Sequence, residues 1–92
     1  MIKLGYQIPL FTYPNGTPET LFESVAAQAV AAEAHGFDTV MVMDHLYQLP
    51  GLGEPEDYML ECYTLLGALA ARTSTIKLGS LVTGNTYRNP AL

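Results

Sequence analysis

The run Thr39-Val40-Met41-Val42-Met43 does most to constrain how this chain can fold. Strands with one wet face alternate apolar and polar residues. A run that does not alternate predicts a strand covered on both faces, as in a parallel sheet. Upstream, Ile2 to Leu10 reads as a first strand, closed by Pro9 and the Pro14-Asn15-Gly16 turn. Thr17 then offers a helix N-cap, Pro18 occupies the first helical position and Glu19 lies in the first turn. Leu21, Phe22, Val25, Ala26, Ala29 and Ala32 recur at helical spacing and predict one apolar face. Gly36 followed by Phe37 predicts a Schellman end.

Downstream, residues 46–56 form a loop rich in Pro and Gly. A second helix is predicted from about Asp57 to Arg72, with Met59, Leu60, Tyr63, Leu66, Leu69 and Ala70 on its inner side. Gly67 inside it costs about 1 kcal/mol relative to Ala, which predicts close packing there. Ile76 to Val82 reads as a third strand, and Asn89-Pro90-Ala91-Leu92 as the first turn of a third helix. The order β-α-β-α-β, then the start of another helix, predicts right-handed crossovers and a parallel sheet.

Two architectures share that order: a small doubly wound sheet and the N-terminal portion of a (β/α)₈ barrel. The first usually carries a Gly-rich phosphate loop after its first strand. Phe11-Thr12-Tyr13-Pro14-Asn15-Gly16 contains no such motif. A complete barrel needs about 250 residues, and the third helix stops as it starts. Residues 1–92 therefore read as an incomplete barrel domain. Composition agrees: 49% of residues are hydrophobic and only 14% charged, against a usual charged share of about 25%. That excludes a disordered acidic tail and leaves an apolar excess suited to further βα units.

The net charge is −5, and the only cations, Lys3, Arg72, Lys77 and Arg88, are scattered. No basic stripe can track phosphates, which argues against a nucleic-acid partner. Cys62 is the only cysteine, so no internal disulfide or thiolate cluster can form, in keeping with a reducing compartment. Met1 to Tyr6 lacks the pattern of a secretory leader, and the low-charge stretch around Ala26 to Ala32 is too short to span a bilayer. The expectation is a cytoplasmic protein acting on a small molecule, without a membrane partner.

In either architecture function gathers at the C-terminal ends of the strands. Those ends carry Pro9-Leu10-Phe11, Asp44-His45 and Leu81-Val82-Thr83-Gly84-Asn85. Histidine titrates near neutrality, so His45 can exchange a proton with a substrate hydroxyl or a reduced cofactor. Successive side chains leave a strand on opposite faces. Asp44 therefore suits ligand binding or loop capping better than a dyad with His45. The plainer alternative leaves both as ordinary hydrogen-bonding residues. His35 lies in the last turn of the first helix, where a cation suits the dipole. Cys62 reads as buried packing in mid-helix. Glu54, Glu56, Asp57 and Glu61 read as acids favouring the start of the second helix rather than as metal ligands, and no metal is expected.

Gly36-Phe37-Asp38-Thr39-Val40 followed by Met43-Asp44-His45 resembles the second strand of the luciferase-like monooxygenase family. The likeness continues in order through Leu65-Leu66-Gly67-Ala68-Leu69-Ala70-Ala71-Arg72-Thr73, Leu78-Gly79-Ser80-Leu81-Val82-Thr83 and Tyr87-Arg88-Asn89-Pro90. The loop Asp44-His45-Leu46-Tyr47-Gln48-Leu49-Pro50 is most similar to the branch that uses the deazaflavin coenzyme F420, with FMN as the alternative. The resemblance implies a homo-oligomeric barrel oxidoreductase that moves hydride between F420 and an organic substrate, or an FMN-dependent monooxygenase. It implies a coenzyme ring at the barrel mouth, with His45 as the catalytic proton-transfer residue and Asp44 close by. It also implies a non-prolyl cis peptide between Leu81 and Val82, with Leu81, Val82 and Thr83 supporting the ring. Some sugar-phosphate-oxidising members carry a Trp shortly after the histidine, and this chain has none. Residues 1–92 alone are expected to be inactive. A third reading is a self-standing α/β binding module.

Overall fold

The computed structural model describes residues 1–92. Strand β1 (Gly5–Ile8), helix α1 (Pro18–Ala34), strand β2 (Thr39–Val42), helix α2 (Cys62–Ala70) and strand β3 (Lys77–Ser80) follow in chain order. The strands form one parallel sheet in the order β1-β2-β3, with Tyr6 beside Val40 and Val40 beside Leu78. β1 and β3 each keep one edge unpaired.

Register decides what each face of the sheet meets. Val40 and Val42 are fully buried and share a face with Ile8. Against them pack Leu21, Val25, Ala26 and Ala29 from α1, and Cys62, Leu65 and Leu69 from α2. Burying each large aliphatic side chain is worth about 1.5–3 kcal/mol, so this layer supplies most of the cohesion. The opposite face carries Gly5, Gln7, Thr39, Met41, Lys77 and Gly79, none of them buried. The expectation that β2 is covered on both faces is therefore met on one face only. Met41, which breaks the alternation, lies over Gly5, where a Cβ would come within 2.9 Å of its Cε.

Helix α1 follows its sequence signals. Thr17 stands extended at the N-cap, Pro18 opens the helix, and the Thr17 N–H donates to Thr20 Oγ1 at 3.0 Å. At the far end Gly36 adopts φ 83°. The Phe37 N–H donates to Ala32 O at 3.0 Å and the Gly36 N–H to Glu33 O at 3.2 Å, which completes the Schellman motif.

Helix α2 departs from its expected span and starts at Cys62 rather than Asp57. The Asp57 carboxylate instead accepts the Glu54 N–H at 3.0 Å, closing a turn. Glu61 is extended and caps the helix by accepting the Thr64 N–H at 2.7 Å. The later start rotates the buried face: Cys62, Leu65 and Leu69 point inward and Tyr63 is exposed. Cys62 thus opens the helix rather than sitting within it. Gly67 does not mark close packing, because a Cβ there would meet no atom within 4 Å. The first and third strands are also shorter than predicted, leaving Ile2 and Leu4 exposed. Residues 89–92 form a single turn, in which the Leu92 N–H donates to Asn89 O at 3.0 Å. No helix is long and apolar enough to cross a membrane.

Candidate functional site

The C-terminal ends of β2 and β3 lie side by side. Val42 pairs with Ser80, and the Leu81 N–H donates to Val42 O at 2.8 Å, continuing the ladder. Met43-Asp44-His45 and Leu81-Val82-Thr83 therefore leave neighbouring strands at one level of the sheet. The peptide bond joining Leu81 to Val82 is cis, at the position the family resemblance implies. Leu81 and Val82 are 42% and 66% exposed, and His45 is exposed as well. These three present apolar area and an imidazole to solvent.

Asp44 has the opposite environment. It is buried, and its Oδ2 accepts Arg88 Nε at 3.0 Å and the Gly84 N–H at 2.8 Å. Oδ1 accepts Arg88 Nη2 at 2.7 Å. The guanidinium holds the Asp44 carboxyl below the ordinary carboxylate range. Arg88 also donates to Glu61 and lies over the Tyr63 ring at 4.1 Å. The Tyr87 hydroxyl donates to the Asp44 carbonyl. The Tyr63 and Thr83 hydroxyls are 2.9 Å apart, and those of Thr83 and Ser80 2.6 Å apart. Hydrogen bonds from Thr64 and then Arg88 hold the Glu61 carboxyl at about 2. Burial pushes the Cys62 thiol up to about 11, so it stays protonated and inert near neutrality.

β1 joins this end through Gln48, which is buried. Its Nε2 donates to Pro9 O at 3.1 Å, and its Oε1 accepts the Leu49 N–H at 2.8 Å. That fastens the β2–α2 loop to the end of β1, beside buried Phe11.

The sequence-derived candidates thus fall into two sets. His45, Leu81 and Val82 face solvent, whereas Asp44 and Thr83 belong to the hydrogen-bonded network. Asp44 caps the loop after β3, one of the two roles its sequence position left open, and its carboxylate makes no hydrogen bond to His45. Arg88, Tyr63, Tyr87 and Gln48 were not legible as site residues. The one available signal was Arg88, the single cation beyond the third strand in a chain with nine acids. All four cations are paired: Lys3 and Lys77 with Asp38, Arg72 with Glu23, and Arg88 with Asp44 and Glu61. His35 keeps its Nδ1 2.7 Å from Ala31 O. No three His, Cys, Asp or Glu side chains converge as metal ligands.

Residues 2–92 match the luciferase-like monooxygenase family. The chain belongs to this family. The F420-dependent glucose-6-phosphate dehydrogenase of Segniliparus rotundus is 38% identical over 92 residues, which is 99% of this chain and 24% of that relative. The enzyme of the same name from Mycobacterium tuberculosis is 36% identical over the same shares. The pyrimidine monooxygenase of Agrobacterium fabrum is 44% identical over 57 residues, 62% of this chain and 16% of that relative. The chain thus spans about a quarter of the length of the F420-dependent relatives it matches, 24% in each case. Among solved structures, the oxygenating constituent of 3,6-diketocamphane monooxygenase from Pseudomonas putida, in complex with FMN, superposes with a TM-score of 0.74. It is 22% identical, and the match covers 99% of this chain and 23% of that one. That likeness decides the fold: the three parallel strands and two helices are those of a luciferase-like barrel, not of a doubly wound sheet.

Proposed function

We propose that residues 1–92 form the N-terminal part of a luciferase-like barrel whose intact protein moves hydride between coenzyme F420 and a small organic substrate. The observation that carries this reading is the placement of exposed His45 level with the open apolar pair Leu81–Val82 at the strand ends. The two F420-dependent relatives, at 38% and 36% identity across 99% of the chain, support the choice of coenzyme.

These residues fit a planar heteroaromatic ring. Leu81 and Val82 offer apolar surface for its face, His45 offers a polar group beside it, and Thr83, held by Tyr63 and Ser80, steadies the segment that carries them. When bound, the coenzyme supplies or accepts the hydride. His45 takes the proton from, or returns it to, the substrate oxygen, a role suited to an imidazole near neutral pH. Positioned acid–base groups contribute about 10²–10⁴-fold to rate. His45→Ala in the intact protein should therefore lower kcat by about that factor, with coenzyme affinity changed only a few-fold. Unchanged turnover would return His45 to an ordinary loop residue.

A second reading, an FMN-dependent monooxygenase on the same fold, is favoured by the likeness to the pyrimidine monooxygenase over 57 residues. Titrating the intact protein with F420 and with FMN separates the two: saturable FMN binding without F420 binding selects the second. The proposed setting is the cytoplasm, as a homo-oligomer acting on a small molecule, with neither nucleic acid nor membrane as partner. Residues 1–92 alone are proposed to bind neither coenzyme, because no cavity in them is lined by His45, Leu81 or Val82. Saturable micromolar binding in calorimetry would overturn that.

A further inference from the structure

We infer that Arg88 is a positioning residue for this site, acting through Asp44 to fix the His45 turn against the segment that carries Leu81 and Val82. The inference rests on the coenzyme reading above for its consequence and on the following contacts for its geometry.

Arg88 ties its own loop to two other structural elements. It holds both Asp44 oxygens, at 3.0 and 2.7 Å, at the end of β2. It donates to Glu61, the N-cap of α2. It comes itself from the loop after β3 and lies over Tyr63 at 4.1 Å. Tyr63 in turn contacts Thr83, the residue after Val82, at 2.9 Å. Asp44 closes the circuit by accepting the Gly84 N–H at 2.8 Å. The residue before His45 and the residues after Val82 are thus tied to one guanidinium. Two-point binding of a planar fork to a carboxylate fixes orientation as well as distance. A lysine keeps the charge but not the fork. The titratable groups facing Asp44 are Arg88 and Tyr87 from the loop after β3 and Glu61 and Cys62 from the start of α2; His45, next in the chain, makes no hydrogen bond to its carboxylate. Arg88 is the only cation in that set. Without it, a buried carboxylate beside Glu61 takes up a proton more readily, so turn geometry becomes dependent on pH.

The test compares the intact wild-type protein with Arg88→Met and Arg88→Lys. It follows coenzyme affinity by optical titration with F420 and FMN, and backbone amide exchange by mass spectrometry or NMR. In Arg88→Met the Gly84 amide should exchange at least about 10-fold faster while Val40 and Val42 amides keep wild-type rates. Affinity for whichever coenzyme the wild type binds should fall about 10–100-fold and should depend more steeply on pH on the acid side than in the wild type. Arg88→Lys should lie between the two. Unaltered Gly84 exchange, or unaltered and pH-independent affinity in Arg88→Met, overturns the inference. If Arg88→Met fails to fold, Arg88→Lys decides: wild-type exchange and affinity there overturn it, and intermediate values support it. A wild type that binds neither coenzyme refutes the coenzyme reading, and amide exchange then decides the clamp by itself.

Discussion

At the N-terminal end of the sheet, half-buried carboxylates pair with lysines or accept backbone N–H groups; at the C-terminal end polar side chains converge on one buried carboxylate. Asp38, at the N-terminal end, meets Lys3 at 3.7 Å and Lys77 at 3.5 Å. Glu33 accepts the N–H groups of Ser74, Thr75 and Ile76, gathering the α2–β3 connection. Water reaches these half-buried contacts and can replace them at small cost. Asp44, 6% exposed, has no such substitute, and its partners Gly84, Tyr87 and Arg88 all come from the loop after β3, about forty residues away. In parallel α/β barrels the N-terminal end serves stability and the C-terminal end carries the chemistry. Burial divides the two ends in this chain: its two buried polar residues, Asp44 and Gln48, lie at the C-terminal end.

The largest expected effect follows from breaking the buried pair. Asp44→Ala should cost about 2 kcal/mol in urea unfolding. That is below the roughly 3–5 kcal/mol for a broken buried ion pair, because the Arg88 side chain is 25% exposed and retains Glu61. Glu33→Gln, at the other end, should cost clearly less. Equal losses would erase the distinction between the ends.

Acid should weaken the C-terminal end in a definable window. Glu61 titrates at about 2 in the folded chain against an ordinary 4.5, so the unfolded chain binds the proton first. Its stabilisation is complete above about pH 4.5 and drains away as pH falls towards 2. Asp44, also held below its ordinary range, loses stabilisation in the same direction. Glu61→Gln should flatten the acid limb of a stability–pH curve. Added salt at neutral pH should weaken the Lys3–Asp38–Lys77 cluster and leave the buried pair nearly unaffected. A steep salt response retained in Asp38→Asn would contradict this assignment.

The smallest effects come from two glycines. Gly36 sits at φ 83°, so Gly36→Ala should cost about 1 kcal/mol. Gly67 lies in a helix with open space around it, so Gly67→Ala should raise stability by about 0.5–1 kcal/mol. Thermal unfolding of both variants checks the opposite signs.

Local signals explain what the sequence disclosed. Thr17-Pro18 and Gly36-Phe37 bound α1 because caps act within one turn, and the apolar spacing between them set its buried face. The start of α2 was hidden because its cap is Glu61, an uncommon capping type, while the more typical Asp57 is engaged in a turn. His45 stood out by its place at the end of a strand, and the Leu81–Val82 bond through family resemblance. Arg88 and Gln48 were not, because their partners, Asp44 and Pro9, lie about forty residues away along the chain. Nothing in local spacing announces such a contact. The open second face of β2 was likewise hidden, since an apolar run records what a strand is suited to meet rather than what residues 1–92 place there.

The pairing of all four cations has an electrostatic consequence. Glu54, Glu56 and Asp57 crowd the β2–α2 loop with no cation beside them, so the field around the strand ends is negative. An approaching anion feels that repulsion once it comes within a Debye length, about 8 Å at physiological ionic strength. Raising the salt concentration should therefore speed the encounter of a phosphorylated ligand with this part of the protein, the reverse of ordinary electrostatic steering. Any phosphate that settles here must be met by backbone N–H groups or by cations from outside residues 1–92.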